Sequence, residues 1–141
     1  MKLVIIEPLG VEEEKLMEIA HKALPDSVEI VSYQTKVTDT ESLIERGKDT
    51  DIIMVANLPL NAEVIKGCKN LKMLAVAFTG IDHIAMDACK EQGITVCNCA
   101  GYSNAAVSDL VFGLFDLTIS KYHFLRSGSP RRRNQGWSGW I

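Results

Sequence analysis

The chain has 141 residues, of which 47% are hydrophobic and 23% charged, with a formal net charge of −3. This length suits one domain with a sizeable apolar core. The slight acidity argues against a nucleic-acid or membrane partner. No apolar stretch approaches the roughly 18 residues of a membrane span, and the opening run Leu3–Ile6 is too short for a signal peptide. We therefore expect a cytoplasmic protein.

The four cysteines are expected to be reduced in that compartment. They are Cys68, Cys89, Cys97 and Cys99. The spacing Cys97-x-Cys99 lacks the second ligand pair of a zinc site, so no metal site is expected. Our interpretation is that cysteine serves here as a small apolar filler.

Five short apolar runs alternate with segments of helical periodicity. The predicted strands are Leu3–Ile6, Val28–Val31, Ile52–Ala56, Met73–Ala77 and Ile94–Val96. The first, third and fourth are continuously apolar, which is typical of strands covered on both faces. The predicted helices are Val11–Leu24, Thr40–Arg46, Ala62–Cys68 (after Asn61 as N-cap) and Met86–Gln92. This β-α order predicts an α/β fold with a flavodoxin-like, doubly wound parallel sheet.

A longer helix is predicted at Ala105–Tyr122, with Asn104 as its N-cap. Its apolar residues occupy nearly the whole circumference, which one small sheet cannot cover, so we expect a partner domain or subunit. We divide the chain into a domain at 1–103, a linking helix at 104–124 and an irregular basic tail at 125–141. The tail has no periodicity and carries four arginines from Arg126 onward, a composition typical of disorder.

Four segments follow strands at the edge where doubly wound sheets bind ligands. They are Glu7–Gly10, Asn57–Leu60, Phe78–His83 and Asn98–Asn104. Gly80 would let a small anion approach backbone amides, and the N-terminus of the helix after Asn104 favours negative charge. We predict a carboxylate or phosphate pocket at this edge, with ordinary turns as the alternative. The sequence has neither a G-x-G-x-x-G nor a P-loop fingerprint.

The three histidines do not converge on one site. His21 lies within a predicted helix and His123 lies past the end of another, so only His83 is near the ligand edge. The sequence therefore gives no support for a nucleophilic site of the Ser-His-Asp or Cys-His type. A response-regulator receiver shares this fold, but Asn57 and Asn98 occupy the strand ends where a receiver needs an aspartate and a lysine. We therefore reject that function.

The order and spacing of several short motifs resemble the D-isomer-specific 2-hydroxyacid dehydrogenases over about residues 1–122. The matching pieces are Asn57–Ile65, Cys68–Leu74, Thr79–Ile84, Ala88–Val96, Asn98, Gly101–Ser103 and Ala106–Asp109. The sequence departs from the family pattern at Ala85, Ala100 and Asp109, where the family usually has Asp, Pro and Glu.

The resemblance implies an oxidoreductase that moves a hydride between a small 2-hydroxy or 2-oxo carboxylate and NAD or NADP. In the family, the loop matching Thr79–Gly80 offers backbone amides to the substrate carboxylate and lies near the nicotinamide. The implied substrate-binding residues are Asn57, Leu58, Phe78, Thr79 and Gly80. Thr79 and Asn104 are the implied cofactor contacts. The helix at 104–122 is expected to form a homodimer.

The family's nucleotide-binding glycines, substrate-binding arginine and general acid/base histidine all belong to its cofactor domain, and no counterpart occurs in this chain. We therefore expect a substrate-side domain that stops before the cofactor domain. It would hold no catalytic residue, bind no cofactor tightly and be inactive alone. The alternative is a non-catalytic carboxylate-binding or dimerisation module derived from the family.

The tail from Leu125 onward is compatible with a frameshifted family sequence. Codons permitted for residues 134–141, read one base later, encode Thr-Lys-Ala-Gly-Leu-Val-Gly, which is similar to the family segment that follows the long helix. The gene sequence decides this hypothesis, because a stop codon in the other frame would exclude it.

Overall fold

The structure, a computed structural model, describes residues 1–126. It divides into two compact units, Met1–Tyr102 and a second that begins at Ser103. The strands of the first unit, hereafter the sheet unit, are β1 (Lys2–Ile5), β2 (Glu29–Ser32), β3 (Ile52–Val55), β4 (Met73–Val76) and β5 (Thr95–Asn98). Its helices are α1 (Glu13–Ala23), α2 (Thr40–Gly47), α3 (Ala62–Gly67) and α4 (Met86–Glu91).

The five strands form one parallel sheet in the order β2-β1-β3-β4-β5, which confirms the predicted flavodoxin-like α/β fold. Strands β2 and β5 begin one residue later than predicted because their register with β1 and β4 pairs Lys2 with Glu29 and Met73 with Thr95. Helices α1 to α4 begin and end within two residues of their predicted limits, the usual uncertainty of helix boundaries.

The main core cluster lies on one side of the sheet, which we call the first face. Alternate strand residues point to it, because successive side chains of a strand point to opposite sides. They are Val4, Ile53, Val55, Leu74 and Val76, and they are buried with Leu43 of α2, Val64 and Ile65 of α3, and Ala88 and Cys89 of α4. The opposite side, the second face, carries Leu3 and Ile5, which are buried, and Ile52, Met54, Met73 and Ala75, which are partly exposed.

Polar side chains cap the two helices that follow β2 and β3. Asn61 Oδ1 accepts a hydrogen bond from the Val64 N–H at 2.9 Å, so the predicted N-cap of α3 is confirmed. Asp39 Oδ1 does the same for the Ser42 N–H at 2.8 Å in α2. These caps satisfy backbone donors that a helix N-terminus would otherwise leave unpaired.

Two of the four cysteines fit the filler interpretation and two do not. Cys68 and Cys89 are buried in the core, and burial raises the pKa of the Cys68 thiol to about 11. Cys97 and Cys99 are exposed, because β5 is an edge strand whose end lies at the surface.

The second unit contains α5 (Asn104–Arg126), a helix of 23 residues. Asn104 is its first residue rather than its N-cap, because the Ser103 carbonyl accepts the N–H of Val107 at 2.9 Å. The helix also continues past Tyr122 and includes the first two residues of the predicted tail. The remainder of that tail, residues 127–141, and with it the frameshift hypothesis, lie outside the described residues.

None of the α5 residues is buried. Its exposed large apolar side chains include Val107, Leu110, Val111, Phe112, Leu114, Phe115, Leu117 and Ile119. Within residues 1–126, no helix is both long enough and apolar enough to cross a membrane.

Candidate functional site

An open cleft of about 640 Å³ lies at the carboxyl edge of the sheet unit. The residues that line it follow β1, β3, β4 and β5, the edge at which sheets of this topology bind ligands. They are Pro8, Leu9, Ala56, Asn57, Ala77, Phe78, Cys99 and Tyr102. Most of these side chains are apolar, and Asn57 adds an amide group. Such a lining suits a small molecule with a short carbon skeleton and a few polar atoms.

The predicted substrate residues are only partly brought together. Asn57 and Phe78 line the cleft, and the Phe78 side chain is exposed there. Leu58 is placed differently, since its side chain is fully buried in the core. The N–H of Leu58 donates to the buried carboxylate of Glu7 at 2.8 Å, which fixes the backbone where this side chain enters the core.

The loop Thr79–Gly80 continues directly from Phe78. Asn98 Nδ2 donates to the Thr79 carbonyl at 2.7 Å, which ties this loop to the end of β5. The backbone of Gly80 does not have a positive φ. A Cβ placed there would meet only Asp82 Oδ2 at 3.6 Å, an ordinary contact distance. The fold therefore does not itself require a glycine at position 80.

Asn104, the other predicted cofactor contact, belongs to the second unit and is exposed on the first turn of α5. Its contact with a cofactor stays a prediction.

The sequence places Glu7 at this edge but did not reveal its burial and its hydrogen-bond partners, the main features of the site that were missed. Its side chain is 2% exposed, and Oε1 accepts the backbone N–H groups of Ala56, Asn57 and Leu58 at 2.9, 2.9 and 2.8 Å. A buried carboxylate is tolerated only where donors surround it. The available signal was the position of Glu7 directly after a fully buried strand, where an acidic side chain needs such donors.

Lys36 completes this arrangement from a distant loop. Its Nζ lies 3.4 Å from Glu7 Oε2 and donates to Asn57 Oδ1 at 3.1 Å. No local sequence pattern relates Lys36 to Glu7 or Asn57, since the contact depends on the path of the chain after β2.

The loops after β3 and β4 are joined by an isolated parallel bridge between Leu60 and Ile84. The Leu60 N–H donates to the His83 carbonyl at 3.0 Å, and the Ala85 N–H donates to the Leu60 carbonyl at 3.0 Å. His83 thus contributes its backbone to the edge of the site. In the part of the chain that the structure describes, its Nε2 is buried and has no hydrogen-bond partner.

Comparisons with known proteins identify the family of this chain. Residues 3–133 match the family of D-isomer specific 2-hydroxyacid dehydrogenases, catalytic domain. A hydroxypyruvate reductase of Blautia hydrogenotrophica is 34% identical over 85 residues, which are 60% of this chain and 26% of that protein. A D-3-phosphoglycerate dehydrogenase of Methanocaldococcus jannaschii is 30% identical over 115 residues, which are 81% of this chain and 20% of that protein.

Among solved structures, NAD⁺-bound 3-phosphoglycerate dehydrogenase of Entamoeba histolytica superposes with a TM-score of 0.67 and 31% sequence identity. That match covers 82% of this chain and 38% of the Entamoeba chain. The chain therefore spans well under half the length of these relatives. Because the family match extends over most of its residues, the chain belongs to the D-isomer-specific 2-hydroxyacid dehydrogenases and corresponds to their catalytic domain.

Proposed function

We propose that this chain is the substrate-side part of an NAD(P)-dependent D-2-hydroxyacid dehydrogenase and that its cleft receives a small 2-hydroxy or 2-oxo carboxylate. The observation that carries the proposal is the cleft at the carboxyl edge of the sheet, in a chain of this family. The amide of Asn57 and the apolar ring of Phe78 both line it.

The loop Thr79–Gly80 is the proposed contact for the substrate carboxylate. A glycine that the fold does not require leaves the backbone amides open to an anion, which a larger side chain would obstruct. Asn57 and Phe78 would then contact the remaining oxygens and the carbon skeleton. This division of roles is usual in small-molecule sites, where a few polar groups orient a largely apolar ligand.

The described residues do not fit a dinucleotide by themselves. The chain has no glycine-rich fingerprint, and its cleft holds no acidic side chain that could bind a ribose hydroxyl. A bound nicotinamide would supply the hydride chemistry, and we assign no step of it to this chain. Thr79 and Asn104 are the proposed neighbours of the nicotinamide.

Titration of the chain with oxalate or pyruvate, followed by backbone amide shifts, tests the binding proposal. We expect shifts at Thr79 and Gly80 and a dissociation constant in the millimolar range, which corresponds to a binding free energy on the order of 4 kcal/mol. Gly80→Ala should weaken binding while leaving stability nearly unchanged, because the added methyl group meets only an ordinary contact.

Gly113→Ala in α5 is the matched control, since a Cβ there has no neighbour within 4 Å. Shifts confined to other regions, or unchanged binding by Gly80→Ala, would contradict the assignment of this loop.

The chain alone is proposed to be inactive, because hydride transfer needs a held cofactor and a general acid/base. Purified chain with NADH and a panel of 2-oxo acids should show no oxidation above background. Clear turnover would overturn this part of the proposal. The cytoplasmic location expected from the sequence stays a prediction.

A second proposed role, self-association through residues 104–122, is favoured by the exposed apolar side chains of α5. Burying each of several such side chains contributes roughly 1.5–3 kcal/mol, which is enough to drive dimerisation. Phe115 is 64% exposed, so Phe115→Asp should weaken a dimer without disturbing the sheet unit. Sedimentation at micromolar concentration measures this, and a monomeric wild-type chain would contradict it.

A further inference from the structure

The side-chain amide of Asn57 presents different chemistry on its two ends. Its oxygen only accepts hydrogen bonds, and its nitrogen only donates them. Which end faces the cleft therefore decides which ligand atoms Asn57 can bind. Without a neighbour that distinguishes them, the amide oxygen and nitrogen could exchange places by a flip of about 180°, because they are nearly the same size.

The neighbouring Lys36 determines this orientation. Its ammonium group lies 3.1 Å from Asn57 Oδ1, and an ammonium group can only donate. The oxygen of Asn57 must then face Lys36. The Nδ2 donors are left for other partners, and the residue itself lines the cleft.

Glu7 explains why Lys36 stays in place although its side chain is half exposed. Glu7 Oε2 lies 3.4 Å from Lys36 Nζ, and the Glu7 carboxylate is itself fixed by three backbone N–H groups through Oε1. Because Glu7 is 2% exposed, it has little water to replace a lost cation. The carboxylate thus holds both the backbone at Asn57 and the lysine that orients the Asn57 side chain.

We propose that Glu7 and Lys36 are positioning residues that present Asn57 to the cleft as a hydrogen-bond donor. The arrangement favours a ligand with an acceptor oxygen at this position, such as the carboxylate or carbonyl oxygen of a 2-oxo acid. A ligand that presents a donor there, such as the ammonium group of a 2-amino acid, is disfavoured. This inference rests on the proposed substrate class and identifies the residues that select it.

The test uses the full chain, oxalate as the probe, and backbone and Asn side-chain NH₂ resonances as the readout. Lys36→Met should weaken oxalate binding about five- to tenfold, the effect of one lost hydrogen bond to an anion. It should also remove the oxalate-induced shift of Asn57 Nδ2. Lys48→Met is the matched control, because Lys48 is equally exposed and pairs with Glu45 at the far end of α2.

A double-mutant cycle separates orientation from simple charge attraction. If Lys36 acts through Asn57, adding Lys36→Met to Asn57→Ala should change oxalate affinity little further. If Lys36 attracts the anion directly, its effect should persist in the Asn57→Ala background and decrease with added salt. The second result would overturn the inference.

Glu7→Gln provides an independent variant that keeps an oxygen for the three backbone N–H groups but removes the charge. We expect it, like Lys36→Met, to remove the oxalate-induced shift of Asn57 Nδ2 while the sheet unit stays folded. An unchanged Asn57 resonance would contradict the role of Glu7.

The failures of the two proposals are distinguishable. If oxalate shifts Gly80 with equal affinity in wild type and Lys36→Met, this inference is wrong and the proposed function stands. If oxalate shifts neither Gly80 nor Asn57 in the wild type, the substrate proposal fails and the inference fails with it.

Discussion

The two faces of the sheet differ in cover although both are apolar. In β3, Ile53 and Val55 on the first face are buried, whereas Ile52 and Met54 on the second are partly exposed. The same alternation occurs in β4. The strands are continuously apolar, so their composition does not distinguish the faces.

The difference comes from the helices. Residues of α2, α3 and α4 share the core with the first face, whereas α1 has no buried residue. An apolar hollow of about 360 Å³ lies between α1 and the strands, lined among others by Leu3, Ile19 and Met73. The sequences of β3 and β4 are thus suited to burial on both sides but are buried on the first face alone, whereas β1 also buries Leu3 and Ile5 on the second face. The comparison shows that apolar strand composition reports suitability for burial, not burial itself.

The largest expected effect is a difference in stability between variants of two neighbouring isoleucines of β3. Ile53→Ala should cost about 2–5 kcal/mol of unfolding free energy, because it leaves a cavity in a packed core. Ile52→Ala removes the same atoms from the partly exposed second face and should cost about 1 kcal/mol or less. Urea denaturation of both variants gives the two values. Equal costs would mean that the second face is as well covered in solution as the first.

The next effect concerns the close approach of α2 and α3 over the first face. A Cβ at Gly67 would lie 2.7 Å from two side-chain carbons of Ile44. Gly67→Ala should therefore destabilise the chain by about 1–3 kcal/mol through overpacking, measured by the shift of the denaturation midpoint. Trimming the neighbour in Gly67→Ala/Ile44→Val should recover part of the loss. No loss in the single variant would show that the helices lie further apart.

The reactivity of the cysteine thiols gives a comparison of the two faces that needs no substitution. Burial raises the pKa of the Cys68 and Cys89 thiols, and the thiolate is the reactive form. Cys97 of β5 is paired with Ala75 of β4, so its side chain lies on the second face, and it is exposed there. Cys97 and Cys99 should react with a disulfide reagent roughly tenfold or more faster than the buried pair, as followed by peptide mass spectrometry. A protected Cys97 would indicate that something covers the second face.

The smallest effect is expected at the amino edge of the sheet, which belongs to neither face. A hydrogen bond from Lys72, at 2.6 Å, and one from the Lys2 backbone N–H, at 2.8 Å, hold the pKa of Asp51 below its usual value of 3.8. A lowered carboxyl pKa contributes stability above the usual value, and this is lost as the pH falls through the lowered one. Asp51→Asn should therefore lower the denaturation temperature slightly at pH 7. The difference should shrink below about pH 4, and a difference independent of pH would exclude the charge as its cause.

The fold could be predicted because it depends on local patterns. A few consecutive residues are enough to recognise the apolar runs Leu3–Ile6 and Met73–Ala77 and the helix cap at Asn61. Strand ends were less certain, because the register of β2 and β5 is decided by pairing with other strands.

The candidate site was predictable only in outline. The rule that ligands bind at carboxyl strand ends located the cleft and included Asn57 and Phe78. It could not show that Leu58 turns inward, or that Glu7 and Lys36 meet beneath Asn57. Those contacts join residues 21 or more positions apart, and no periodicity in the sequence encodes them.

The bridge between Leu60 and Ile84 has a consequence for the motions of the cleft. Its two backbone hydrogen bonds join the loop after β3 to the loop after β4, so we expect these two loops to open together. A ligand then meets loops that are already ordered, and little conformational entropy remains to be lost on association. The amide protons of Leu60 and Ala85 should accordingly exchange with solvent together and slowly, and a single fast-exchanging partner would show that the cleft opens from one side.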